Sequence, residues 1–201
     1  MGEDVTQHQR ERTFDGRALR TALGAFATGV TVVTTRRDDY CHGMTANAFS
    51  SVSLEPPLVL VCVNRFGHGS REIADSGHFA VNILGADQEE LSRYFASPDR
   101  PRGPEAFRDI VYRIGESGSP ILEAVAGYLD CRLAASHEAG DHVIFVGEVL
   151  DQEVLPDASP LLFHGGRYRR LLDDPAGRRR SARGAPGGDR IDRVVAVSKH
   201  R

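Results

Sequence analysis

The chain has 201 residues, 40% of them hydrophobic and 26% charged, with a formal net charge of −3, the balance expected of one domain with a sizeable core. No apolar run approaches the roughly 20 residues that span a bilayer, and Met1 to Arg12 lacks the apolar centre of a secretory signal, so the expectation is a cytoplasmic protein with no membrane partner. Lys199 is the only lysine, which excludes a Schiff-base or P-loop lysine from the folded body.

Residues 1–12 read as a flexible N-terminus. Phe14 to Ala27 reads as an amphipathic helix, with Leu19, Ala22, Leu23 and Phe26 on one stripe and Thr13 or Asp15 as cap. Gly29 ends it. Val30 to Thr35 follows as a β-branched strand, Arg36 to Asp39 as a turn, and Tyr40 to Thr45 as the returning arm. From Gly43 to Pro57 the chain is a loop of small and hydroxyl residues. It runs into a buried strand, Pro57 to Asn64, whose continuous apolar character suits a barrel interior.

Ser70 to Asp75 is a short helix with Ser70 as N-cap, His78 to Leu84 a strand, and Asp87 to Phe95 a helix capped by Asp87. Ser97 to Arg108, rich in Pro, Arg and Gly, reads as a surface excursion or a lid. Gly127 to His137 alternates, placing Leu129, Cys131, Leu133 and Ala135 on one face. Ala139-Gly140 turns the chain, and Asp141 to Leu150 pairs back. Leu161 to His164 and Arg167 to Leu171 complete a domain at 13–172. Strands dominate without βαβ alternation, so the expected fold is mainly β, a small closed antiparallel barrel with a few peripheral helices.

Residues 173–201 form a basic tail. From Arg178 onward eight Arg or Lys stand against Asp189 and Asp192. That surplus of +6 leaves −9 on the rest, and an acidic body argues against a nucleic-acid partner. The tail reads as disordered, with a partner-binding role as the alternative. Cys41, Cys62 and Cys131 are widely spaced and read as reduced. His137, Glu138 and His142 lack a third conventional ligand nearby, so no metal is expected. No Gly-x-Gly-x-x-Gly follows a strand, and any nicotinamide cofactor would bind without a Rossmann unit.

The stretch Gly43-Met-Thr-Ala-Asn-Ala-Phe-Ser-Ser-Val-Ser-Leu-Glu-Pro-Pro57 carries the chemistry. Small side chains let a ligand approach the backbone, and Thr, Asn and Ser supply donors, which suits a flat, polar-edged ring carrying a phosphate. An ordinary Ser-rich loop is the alternative. Together with Ala27-Thr28-Gly29-Val30-Thr31-Val32-Val33-Thr34 and with Ala139-Gly140-Asp141-His142-Val143-Ile144-Phe145-Val146-Gly147-Glu148-Val149, it resembles the short-chain flavin reductases. These are the small components of two-component flavin-dependent monooxygenases. The resemblance runs in order from about Phe14 to Leu171.

The resemblance implies a split β-barrel that binds flavin, a homodimer with flavin sites near its interface, and hydride transfer from NADH (NADPH less favoured) to free FAD or FMN. Reduced flavin would pass by diffusion to a partner monooxygenase. Thr45, Ala46, Asn47, Ala48, Phe49, Ser51 and Val52 would line the ring and ribityl chain, with Gly29 and Val30 closing one side. Asn64 to Ser70 would reach the phosphate. His68, Ser70 and Arg71 stand at a predicted helix N-terminus, which favours an anion, although Ser70 can equally be a simple cap. His142, in the matching Gly140-Asp141-His142, would sit beside the nicotinamide as the catalytic residue, with Asp141 next to it. Arg167 and Tyr168 would contact the nicotinamide phosphate or ring. Alternatives are a non-catalytic flavin carrier, a flavoprotein reducing another acceptor, and an interaction module led by the tail. FAD against FMN, the partner's identity and the tail's role are left open by the sequence.

Overall fold

A computed structural model describes residues 15–172. The expectations for residues 1–12, for Thr13 as a cap and for the tail lie outside them. In chain order the elements are α1 (Gly16–Gly24), β1 (Thr28–Gly29), β2 (Thr31–Arg37), β3 (Tyr40–Ala46), β4 (Phe49–Leu54), β5 (Pro57–Asn64), α2 (His68–Ser76), β6 (His78–Ile83) and α3 (Glu89–Ala96). A 3₁₀ turn at Gly103–Phe107 follows, then β7 (Tyr112–Ile114), β8 (Pro120–Leu122), β9 (Gly127–Ala139), β10 (His142–Val154), β11 (Leu162–His164) and β12 (Arg167–Arg169).

Seven strands form one antiparallel sheet in the order β3-β2-β6-β9-β10-β5-β4. Its two edges, β3 and β4, are consecutive in the chain and separated only by Asn47 and Ala48. The sheet therefore curls back on itself as a split barrel, mainly β as expected. Phe79, Phe145, Val33, Val61 and Val81 fill it. Gly147 makes this filling possible, because a Cβ there would meet Phe79 Cζ at 2.6 Å. Burying each such phenylalanine contributes about 1.5–3 kcal/mol. β2 is covered on both faces: Val33 points into the barrel, while Val32 joins a second core with Phe95, Phe107, Ile121 and Leu161. That outer core supports the site described below.

Several local expectations are corrected. Much of Gly43 to Pro57 is strand, since β3 extends to Ala46 and β4 pairs with β5 through Phe49↔Val61 and Ser51↔Val59. Both are edge strands, so one side of each keeps backbone groups outside the ladder. In β5 only Val59, Val61 and Val63 are buried, while Leu58, Leu60 and Cys62 are half-exposed on the outer face. Ser70 lies inside α2 and is buried; the N-cap is Gly67. Asp87 does not cap α3, whose N-cap is Gln88. Asp15 does cap α1, accepting from Arg17 N at 2.8 Å. A bulge between the pairs Val146↔Ala135 and Gly147↔Leu133 turns Ala135 to the face opposite Leu133, because one extra residue reverses the alternation. The excursion from Ser97 to Arg108 is tied down, with Ala106 and Phe107 buried and Arg100 donating to Gly43 O at 2.5 Å.

Candidate active site

Two neighbouring cavities lie along β3 and share part of their lining. The smaller, about 190 Å³, is walled by Val30, Thr45, Ala46, Asn47, Phe163 and Tyr168, with Ser92 and Ala96 from α3. Its far wall is the β11–β12 hairpin, whose turn at Gly165 and Gly166 has φ of 59° and 75°, a twist that favours glycine. The hairpin docks through β1 by Thr28↔Phe163 and Gly29↔Leu162. Tyr168 packs edge-on against Phe163 at 5.4 Å and shares a hydrogen bond of 2.8 Å with Ser92 Oγ. Thr45 Oγ1 donates to Ser92 O at 2.6 Å. The donor expected of Thr45 is therefore spent on holding α3, whereas no hydrogen bond among the described residues uses the Asn47 amide.

The larger cavity, about 360 Å³, shares Thr45 and Ala96 with the first and continues along β3 to Tyr40. His42, His68, Arg100 and Arg102 line it. His42 Nε2 is buried without a partner. Burial first, then the Arg100 guanidinium and His68, push this imidazole down to about 4, so it is neutral at pH 7. Burial also lowers Arg100. Arg102 Nη1 lies 3.3 Å from His68 Nε2.

The candidate residues fall into groups. Val30, Thr45, Ala46, Asn47 and Tyr168 come together around the smaller cavity, and His68 lines the larger. Gly29 stands behind them in β1. Ala48 follows Asn47 in the seam, its carbonyl accepting from Cys62 N at 3.0 Å. Phe49, Ser51 and Val52 lie on β4, Arg71 is exposed on α2, and Arg167 is exposed on β12; none of these lines either cavity. Asn64 and His142 face each other across the β5–β10 ladder. Asn64 Oδ1 accepts from Phe66 N at 2.9 Å, shaping the loop into α2.

His142 opens β10 directly after the Ala139-Gly140-Asp141 turn. Asp141 Oδ1 lies 2.7 Å from His142 Nδ1, and the imidazole holds the carboxyl below its usual range. Asp141 thereby accepts a hydrogen bond from Nδ1–H and leaves Nε2 as the outward edge of a half-exposed ring.

His42, Ser92, Arg100, Arg102 and Phe163 were not singled out by the sequence. The only local signal was the Arg100-x-Arg102 pair within a Pro-rich stretch, and its meaning depends on β3 lying beside it. A flat slot of small and apolar walls that opens into a cationic cleft fits a planar ring bearing an anionic chain. The unpaired His42 Nε2 is the polar atom that such a chain would satisfy.

The family model of the flavin reductase like domain matches residues 23–172. An FMN reductase (NADH) of Agrobacterium fabrum is 43% identical over 157 residues, covering 78% of this chain and 87% of that protein. The reductase subunit of a flavin-dependent monooxygenase from Mycobacterium tuberculosis is 40% identical over 156 residues, covering 77% and 81%. An NADH:FAD oxidoreductase of Streptomyces globisporus, solved in complex with NAD and FAD fragments, superposes with a TM-score of 0.75 at 40% identity, covering 80% of this chain and 95% of that one. A match over three quarters of the sequence, with the same fold beneath it, makes this chain a member of the flavin reductase like domain family.

Proposed function

We propose that this protein transfers hydride from NADH to FAD or FMN and releases the reduced flavin to a separate flavin-dependent monooxygenase. The observation that carries the reading is the slot between Ala46-Asn47 and the Phe163–Tyr168 hairpin, continuous with a cationic cleft. When bound, the flavin supplies the hydride-accepting ring, so the protein's work is stacking, exclusion of water and placement of charge. Val30, Ala46 and Phe163 offer the apolar walls, Asn47 a free amide for the ring's polar edge, and α3 is clamped by Thr45 and Tyr168. We assign His142, which lines neither cavity, to the nicotinamide on the strength of the Gly140-Asp141-His142 match, with Asp141 holding the ring through Nδ1. The absence of paired carboxylates in the slot agrees with chemistry that needs no general acid.

The protein acts as a homodimer in the cytoplasm. Leu23 and Phe26, at the end of α1, are 63% and 76% exposed, and α1 buries none of its residues. The outer faces of β5 and β10 add Leu60, Cys62, Ile144 and Val146, all half-exposed and paired in register. An apolar surface of that extent supports a second copy as its cover.

The test is anaerobic mixing of the protein with NADH and either flavin, following loss of oxidised-flavin absorbance. Rapid multiple turnover is expected, and flavin binding without turnover would overturn the reading in favour of a carrier. His142→Ala is expected to lower turnover at least about tenfold while the flavin Kd stays within about twofold. Wild-type rates would remove His142 from the mechanism.

A further inference from the structure

The chemistry above uses the ring slot and leaves most of the larger cleft without a task. β3 provides a ruler along it. The slot lies at Thr45 to Asn47, His42 stands three residues back from Thr45, and Tyr40 five, about 10 Å and 16 Å away at ~3.3 Å per residue. The lining changes in the same order. It is small and apolar at Ala46, polar and basic at His68 and Arg102 with the neutral His42 among them, and flat and apolar at Tyr40, Pro98 and Pro101.

No Asp or Glu is among the residues lining the cleft. Arg102 is exposed and has no carboxylate partner among the described residues. Gly67, the N-cap of α2, has no side chain to occupy the first-turn amides, and Gly67, His68 and Gly69 line the same cleft. Arg100 has a different task. It donates to Ser97 O at 2.9 Å as well as to Gly43 O, fixing the loop that carries Pro101 and Arg102. At about 360 Å³ the cleft is of a size that takes a ligand moiety much larger than one phosphate.

Building on the flavin reductase reading, we propose that this cleft makes the protein select the dinucleotide FAD over FMN, with Arg102, His68 and His42 holding the diphosphate and Tyr40 carrying the adenine. FMN ends at its phosphate. It fills the slot and the nearer basic stretch and leaves the Tyr40 end uncovered. FAD spans all three zones, and the adenine finds an aromatic face, a contact strong enough to change affinity by tenfold or more.

Calorimetric titration of the protein with FAD, FMN and riboflavin tests this without recourse to turnover. In the wild type, FAD is expected to bind at least about tenfold tighter than FMN. Tyr40→Ala should remove that advantage while leaving the FMN affinity in place. Arg102→Gln should weaken FAD about tenfold or more, with Arg102→Lys recovering part of the loss because a point charge replaces a fork. Equal wild-type affinities for FAD and FMN would overturn the proposal, as would variants that leave the FAD:FMN ratio unchanged. In both cases riboflavin binding would persist and the reductase reading would stand. Failure of all three flavins to bind would instead refute the reductase reading and the proposal with it.

Discussion

Asp130 is fully buried and makes no ion pair with Arg or Lys among the described residues. Its carboxylate accepts from Ser117 N at 2.7 Å and Ser117 Oγ at 2.5 Å, and Ser117 passes the contact through Ser119 to His78 Nδ1. The network closes the loop between β7 and β8 over the end of β9. Asp130→Ala leaves the Ser117 donors unsatisfied and is expected to cost about 2 kcal/mol, readable by urea unfolding, with Asp130→Asn losing less because an acceptor remains. His42 has the opposite character, a buried group that resists charge. Its folded pKa of about 4 lies below the ordinary value of 6.5, so the unfolded chain takes up the proton first. The stability associated with a neutral His42 is complete above pH 6.5, falls as pH drops towards 4 and levels below that, by about 3 kcal/mol in all. Stability measured across that window should show a shallower acid loss in His42→Asn than in the wild type; parallel curves would refute this assignment. Neither residue was legible beforehand, because Asp130 acquires its meaning from residue 117 and His42 from residues 68 and 100.

At the scale of elements, legibility follows locality. The β9–β10 hairpin was readable because its alternation and Gly140 turn lie within one short stretch, whereas the half-exposed outer face of β5 was not, because an unbroken apolar run hides the period of two. Ser70 was misread as a cap because local preference favours serine there, while tertiary packing buries it inside α2. The short strands β7 and β8 carry too few residues for a pattern and exist through their pairing, Tyr112↔Leu122 to Ile114↔Pro120. α1 was readable as amphipathic, yet its apolar stripe is not buried against any of the described residues. Replacing Leu23 and Phe26 with Asp should therefore shift the proposed homodimer to monomer in light scattering, with helix content nearly unchanged because both positions are exposed. A dimer that persists would place the interface elsewhere, with the outer face of β5 and β10 next in line.

At the scale of the whole molecule, barrel and slot are separable. The seven-stranded sheet runs from β3 to β4 with β10 inside it, whereas the slot needs the small β1-β11-β12 sheet, which pairs nowhere with the barrel strands. The class of fold could be read from the succession of strands. The candidate slot could not be read from local pattern, since its walls come from residues 30, 45–47, 92, 96, 163 and 168, far apart in the chain.

The late position of that closing hairpin bears on biosynthesis. During translation the barrel strands leave the ribosome first, and they can fold around Phe79 and Phe145 before Phe163 and Tyr168 have emerged. A nascent chain at that stage has a core and no slot. With the slot as the proposed flavin site, such a chain cannot capture a redox-active ring, and binding switches on only when almost the entire domain has emerged.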